Sequence, residues 1–527
     1  MERKLLGHFK TGALFTKDII PVGINDECKS FGKTIPSSVF EIKDGVLAAY
    51  HGTDDIVVIP RTVELEDTES EGETVTVPIR AIADNAFRGC NIVSVLIPDT
   101  VREIGEGAFC ECRYLEDVMM LCEIDTLKAH VFAYCTSLRC APIPKGVKKI
   151  ESFAFENCLS LESVEIPASV EIILPGAFAE CESLNEIIVD NVNQSYYSEG
   201  KCLISKKDCS VVLGCYDNNL EGLKGIERIG EAAFCNAFGK SELIIPEGVV
   251  EVCENAFCDC LCIETVRFPS TLKKIGDDAF SSCHFLKQVY FNNGIEVIGD
   301  GAFCDCCDME NIILPHSLTS IGEDAFLNCS KLTEIVIPDL VASIGDFAFS
   351  GCDSLVMAKL PSSLDTIPKS LFYMCPTLQS VNIPDSVETI CEDAFWGCVK
   401  LEKLSLPPNL RAIGKSAFSY CLGIREILIP NSVEKVDERA FFACEGVKRL
   451  VLSESLTSIA ALTFANCKNL EEVKIPESVI DIYTGAFRDC SELRYVQIPD
   501  GECRISEGAF FGSKFITAAD IGCGIED

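Results

Sequence analysis

The chain has 527 residues, is 48% hydrophobic and 24% charged, and carries 45 Lys and Arg against 81 Asp and Glu, a formal net charge of −36. Such a composition describes a folded protein with ample core material, and such a charge repels phosphate backbones and anionic lipid headgroups, so nucleic acid and bare membrane are excluded as partners, whereas a basic protein surface or a divalent cation is attracted. The same acid also serves to keep a long apolar array soluble.

At the N-terminus, residues 1–35 match no repeat and have no assigned structure. Arg3 and Lys4 give a positive start, but Lys10, Lys17 and Asp18 interrupt any apolar region behind it, so neither a secretory signal nor a membrane insertion is expected, and the expected location is cytoplasmic. Residues 36–80 form a hairpin cap, read from the apolar runs of residues 40–50 and 57–60 around Asp44-Gly45; an open repeat array needs such a cap at its end. Residues 66–75 read as an acidic, solvated loop.

From residue 81 onward the chain repeats itself. The motif is A-F-x-x-C-x-x-L-x-x-V-x-I-P-x-S-V-x-x-I-G. Its anchor phenylalanines are Phe87, Phe109, Phe132, Phe155 and Phe178, then every 23 residues from Phe234 to Phe510, 18 rungs in all. A period of 23 falls within the roughly 20–29 residues of leucine-rich repeats. Within each rung L-x-x-V-x-I alternates as a half-buried strand does, for example Leu470 to Ile475. The following proline cannot donate to a ladder and ends the strand. A second short extended piece follows, then an Ile-Gly corner (Gly322, Gly345, Gly414) whose glycine is expected at positive φ. Ala-Phe then starts a tight helical turn with the ring inward. The expected fold is therefore an α/β repeat solenoid, β-rich: a curved, right-handed leucine-rich-repeat array of about 18 rungs with a parallel sheet on its strand face. One rung cannot bury its Phe, Leu, Val and Ile alone, whereas stacked rungs make a continuous core.

This motif resembles that of the BspA-like leucine-rich repeats over residues 81–515. The resemblance implies a curved parallel solenoid with a role in adhesion or protein binding, often at the cell surface, which stands against the missing export signal.

The array is interrupted once, at about residues 190–218, where two extended runs around Lys206-Lys207-Asp208 read as a β-hairpin. It is expected either at a binding face or as a local decoration. Residues 511–527 are left as a C-terminal cap. Of 32 cysteines, 16 stand three residues after an anchor Phe, which makes them a packing column. Their parallel side-chain vectors suit disulfides poorly, and so many thiols suit a reducing compartment. Among the rest, Cys235, Cys258 and Cys304 share the position after the anchor Phe and form a weak thiol-metal candidate, without a C-x₂-C pair.

The five histidines are scattered, and no nucleophile elbow, phosphate loop or dinucleotide fingerprint occurs. No enzyme activity and no cofactor are expected. Attention falls on the strand face. The outward column includes Ile188, Ile244, Tyr290, Ile313 and Val336, then Leu428 and Val451, beside a mixed polar column from Glu242 to Tyr495. Such a column suits docking of a protein or peptide ligand, or reflects β-branched strand propensity and cross-strand packing. The leading expectation is a protein-binding solenoid. The alternatives are end-to-end self-assembly through exposed strand edges and a thiol metal site. Sequons stand at Asn193 and Asn328.

Overall fold

The computed structural model describes residues 39–66, 74–216, 220–236, 239–499 and 503–513. Residues 1–35, nearly all of the acidic loop and most of the C-terminal cap lie outside them. The chain divides into two compact units, one made of Met1–Asn219 and Arg228–Gly239, the other of Leu220–Glu227 and Lys240–Asp527.

In the first unit, Phe40–Lys43 and Val46–Tyr50 pair antiparallel, and the latter continues into parallel pairing with Ala81–Ile82 and Glu103–Ile104. The Tyr50 ring stacks on Phe87 at 5.2 Å. It thus heads a column that runs through Phe109, Phe132, Phe155 and Phe178 at 4.9–5.5 Å. Thr62–Glu66 and Thr74–Pro78 form a second hairpin.

The inserted segment is a three-stranded antiparallel meander of Tyr196–Glu199, Cys202–Ser205 and Ser210–Gly214, the last parallel to Arg228–Ile229. Leu203, Ile204 and Val211 are fully buried, so the segment fills core rather than decorating the surface. Asn193 fastens it. Its Nδ2 donates to the carbonyls of Pro167 (2.7 Å) and Val170 (3.0 Å), and its Oδ1 accepts the N–H groups of Ser195 and Tyr196 (both 2.8 Å). With its amide buried and bonded in this way, the Asn193 sequon offers no acceptor nitrogen in the folded chain.

In the second unit each rung has three sides. Three-residue strands such as Glu242–Ile244, Thr265–Arg267 and Gln288–Tyr290 pair in parallel, as do two-residue strands such as Val297–Ile298, Ser320–Ile321 and Ser343–Ile344. The third side holds the anchor ring. From Phe257 to Phe510 the rings stack at 5.0–6.0 Å, close to the strand spacing of about 4.8 Å that sets the rise.

The structure revises two local expectations. The Ala-Phe segment is no helix. Within one rung the residues two before and two after the anchor Phe take φ between 49° and 81°, as at Asp324 and Asn328, and this holds in all 18 rungs. Alternating right- and left-handed residues cannot continue a helix. Instead they let every second N–H reach the next rung, with Asp324, Phe326 and Asn328 donating to Asp346, Ala348 and Ser350 at 2.8–3.0 Å. The α component of the fold is correspondingly small. The 3₁₀ turn Leu220–Gly222 is the one helix that lies wholly among the described residues.

The corner glycines Gly322, Gly345 and Gly414 do not have positive φ. They are small because the preceding rung passes against them. A Cβ on Gly345 would lie 2.2 Å from the Glu323 nitrogen, and one on Gly414 would lie 2.7 Å from Glu392 N. Close backbone approach, not left-handed conformation, is their reason.

Candidate functional site: the strand face and the thiol column

Alternation places the middle residue of each three-residue strand in the core and its two neighbours outside. Val289 and Ile335 are buried, whereas Tyr290, Ile313 and Val336 are 44%, 85% and 49% exposed. Leu428, Val451 and Ile188 are also exposed, and Ile244 is half-buried.

These residues do not form one stripe. Ile188 lies in the first unit, paired with Glu165. In the second unit Arg267 stands between Ile244 and Tyr290 in the ladder. Its guanidinium lies 4.1 Å from the centre of the Tyr290 ring, and its Nε donates to Glu242 at 2.9 Å, which holds the guanidinium above its ordinary pKa. Tyr290, Ile313 and Val336 follow on consecutive rungs. Leu428 and Val451 are direct cross-strand partners, separated from that trio by rungs carrying Lys359 and Asn382.

The prominence of Ile313 has a local cause. The parallel ladder of Glu242–Ile244, Thr265–Arg267 and Gln288–Tyr290 ends at Asn311–Ile312, and a separate one begins at Glu334–Val336. Ile313 lies at that break, outside both ladders.

The ladder cysteines do more than pack. Their thiols donate to the carbonyl of the anchor Phe one rung back: Cys329 to Phe303 at 3.3 Å, Cys375 to Phe349 at 3.2 Å and Cys421 to Phe395 at 3.1 Å, within a set of 14 such bonds. Sequence reasoning found the column but missed the bond, since its direction depends on how the rungs stack. The described cysteines are thiols rather than disulfides.

Among the described residues no three His, Cys, Asp or Glu side chains converge as a metal site. Cys235 lies in the first unit and Cys258 and Cys304 in the second. Burial, then Asp305, pushes the Cys304 thiol up to about 12.

A cleft of about 440 Å³ in the first unit is lined by Arg88, Cys110, Glu111, His130, Tyr134 and Glu156, among others. Arg88 is taken up by Glu111 at 2.6 Å. His130 lies 3.5 Å from Glu156. Burial raises the pKa of the Cys110 thiol, the reverse of what activates a nucleophile.

Four stretches, residues 73–199, 214–333, 319–448 and 411–527, the last three overlapping, match the family model described as BspA type Leucine rich repeat region. A leucine-rich repeat protein of Bacteroides ovatus is 24% identical, covering 84% of this chain and 92% of that one with a TM-score of 0.43. A leucine-rich cell surface protein of Faecalibacterium prausnitzii is 23% identical, covering 74% and 89% with a TM-score of 0.39. A leucine-rich repeat protein of T. pallidum is 32% identical over 31% of this chain and 79% of its own length, with a TM-score of 0.30. A search of curated proteins found no match.

Proposed function

We propose that this chain, which belongs to the BspA-type leucine-rich-repeat family, is a non-enzymatic protein-binding scaffold whose ligand, a protein or peptide, docks on the strand face of the second unit. The observation that carries this reading is the exposed apolar trio Tyr290, Ile313 and Val336 on consecutive rungs. Exposed β-branched residues are ordinary in strands, but Ile313 lies outside the ladders, so strand propensity does not account for it. An apolar ridge bordered by polar side chains is the layout of a protein interface.

The test is to pan a random peptide library on the full chain. Peptides so selected should lose binding to the double variant Ile313→Asp, Val336→Asp. They should keep it for Val250→Asp, Ile480→Asp, an exposed pair away from these strands. Both variants should melt like the parent. Selected peptides that bind the first variant undiminished would remove the strand-face reading.

Family members are often cell-surface proteins, and among the described residues no helix is long and apolar enough to cross a membrane. The thiol column suits a reducing compartment, and on that ground we place the working chain inside the cell. Protease treatment of intact native cells should leave it uncut until lysis. Cleavage before lysis would turn the reading to adhesion.

A further inference from the structure

We infer that the strand face around Tyr290, Ile313 and Val336 receives a cationic amphipathic segment of a partner protein, its apolar side chains on the trio and its Lys or Arg side chains on the carboxylates beside it. This inference rests on the strand-face reading and adds the chemistry of the partner.

Six carboxylates border this part of the face: Glu242, Glu247, Glu264, Glu310, Glu334 and Asp339. Three of the nearby cations are already engaged, whereas Lys359, the cross-strand partner of Val336, forms no ion pair among the described residues. Arg267 is held by Glu242, Lys287 Nζ lies 2.9 Å from Glu264, and Lys331 is taken up by Asp308 at 2.6 Å. Glu247 accepts from Ser270. Asp339 accepts the Ser362 N–H at 2.9 Å, which, with a smaller contribution from Lys359, keeps its carboxyl below the usual range and therefore ionised. Glu310 and Glu334 are exposed, flank the Ile313 and Val336 rungs, and form no ion pair among the described residues.

The face therefore pairs an apolar ridge with a negative border that its own cations neutralise only in part, at Glu242 and Glu264. An acidic or neutral apolar segment would bring like charge or none to that border. A segment alternating apolar and basic side chains satisfies both features, and electrostatic complementarity of this kind favours one partner class and speeds encounter. The overall charge of −36 attracts any cation; the ridge is what localises one with an apolar side.

The probes are two labelled 12-residue peptides, one alternating Leu and Lys, the other Leu and Glu, titrated into the full chain at 0.15 M salt by fluorescence polarisation. The Leu–Lys peptide should bind at least about tenfold tighter, and Glu310→Lys with Glu334→Lys should weaken it by about tenfold. Glu434→Lys with Glu507→Lys, exposed residues of the same unit outside these strands, changes the net charge equally and should shift binding by less than about twofold, the effect of screened distant charges.

Equal weakening by both lysine pairs, no binding, or equal binding of both peptides overturns the inference. If binding responds to Ile313→Asp, Val336→Asp but not to Glu310→Lys, Glu334→Lys, the face binds and only the partner's charge is wrong. If it responds to neither pair, the strand-face reading falls as well. Self-association in sedimentation velocity that Glu310→Lys, Glu334→Lys abolishes would make a second copy of this chain the occupant and also overturn it.

Discussion

Between about pH 9 and about pH 10.5 the reduced protein is expected to lose its fold cooperatively. Burial pushes the thiols of Cys181, Cys444 and Cys490 up to about 12. Nine other ladder thiols are held well above their ordinary value near 9, by burial in eight and at Cys352 by the hydrogen bond with Cys375 and then burial. In the unfolded chain these thiols ionise near pH 9, while in the folded chain burial keeps them protonated well above that. Between those values the unfolded state binds fewer protons, so stability falls as pH rises; below about 9 the contribution is fully present.

One pH unit above 9, each such thiol favours unfolding by about 1.4 kcal/mol. A dozen acting together reach roughly 17 kcal/mol, beyond the upper end of ordinary domain stability at about 15 kcal/mol. Urea midpoints followed by circular dichroism under reductant should drop steeply from about pH 9 to about pH 10. A midpoint constant over that range would mean that the thiol column is not buried as described. The slope should decrease by about one proton in Cys421→Ala, although that variant also starts less stable because it loses packing and the bond to Phe395.

Much of this fold is legible because a 23-residue period writes each column many times over. Any one Phe or Cys would be ambiguous, but the same residue at the same offset in rung after rung identifies a core position. The strand register is equally readable, since the middle position of the strand stays apolar from rung to rung while its neighbours vary. Ile335, buried between exposed Glu334 and Val336, is one instance.

What failed was conformational detail with two physical readings. A-F-x-x-C places two apolar residues three apart, which a helical turn also does. The signal against it was present in the frequent Asn, Asp and Gly at the flanking positions, such as Asn85, Asp278 and Gly301, since these residues tolerate left-handed φ. The corner glycines were undecidable, because positive φ and close backbone approach both exclude a side chain. On the face, the outward residues were found, but their grouping was not. That grouping depends on the Arg267 guanidinium lying over Tyr290 and on the ladder break beside Ile313.

Phe349→Ala is expected to cost about 3–5 kcal/mol, the range for removing a fully buried aromatic ring without collapse of its site. The ring is completely buried and lies between Phe326 at 5.2 Å and Phe372 at 6.0 Å. Collapse is hindered because each rung is held to its neighbours by its own backbone: Phe349 N–H donates to Leu371 at 3.1 Å, and its carbonyl accepts the Cys375 thiol. The hole cannot close without breaking that register. A repeat array is coupled only through neighbouring rungs, so the damage should be read locally as well as globally, as faster amide exchange over the rungs of Phe326 to Phe372 and little change near Phe487. Phe349→Leu, which keeps most of the volume, should cost less than about 1.5 kcal/mol. Phe510→Ala, whose ring has one stacked neighbour in the column among the described residues, Phe487, should cost less than Phe349→Ala. Urea melts of the three variants decide the point. A loss below about 1 kcal/mol for Phe349→Ala, or equal losses at Phe349 and Phe510, would show that the rings do not form the continuous column on which the strand face is built.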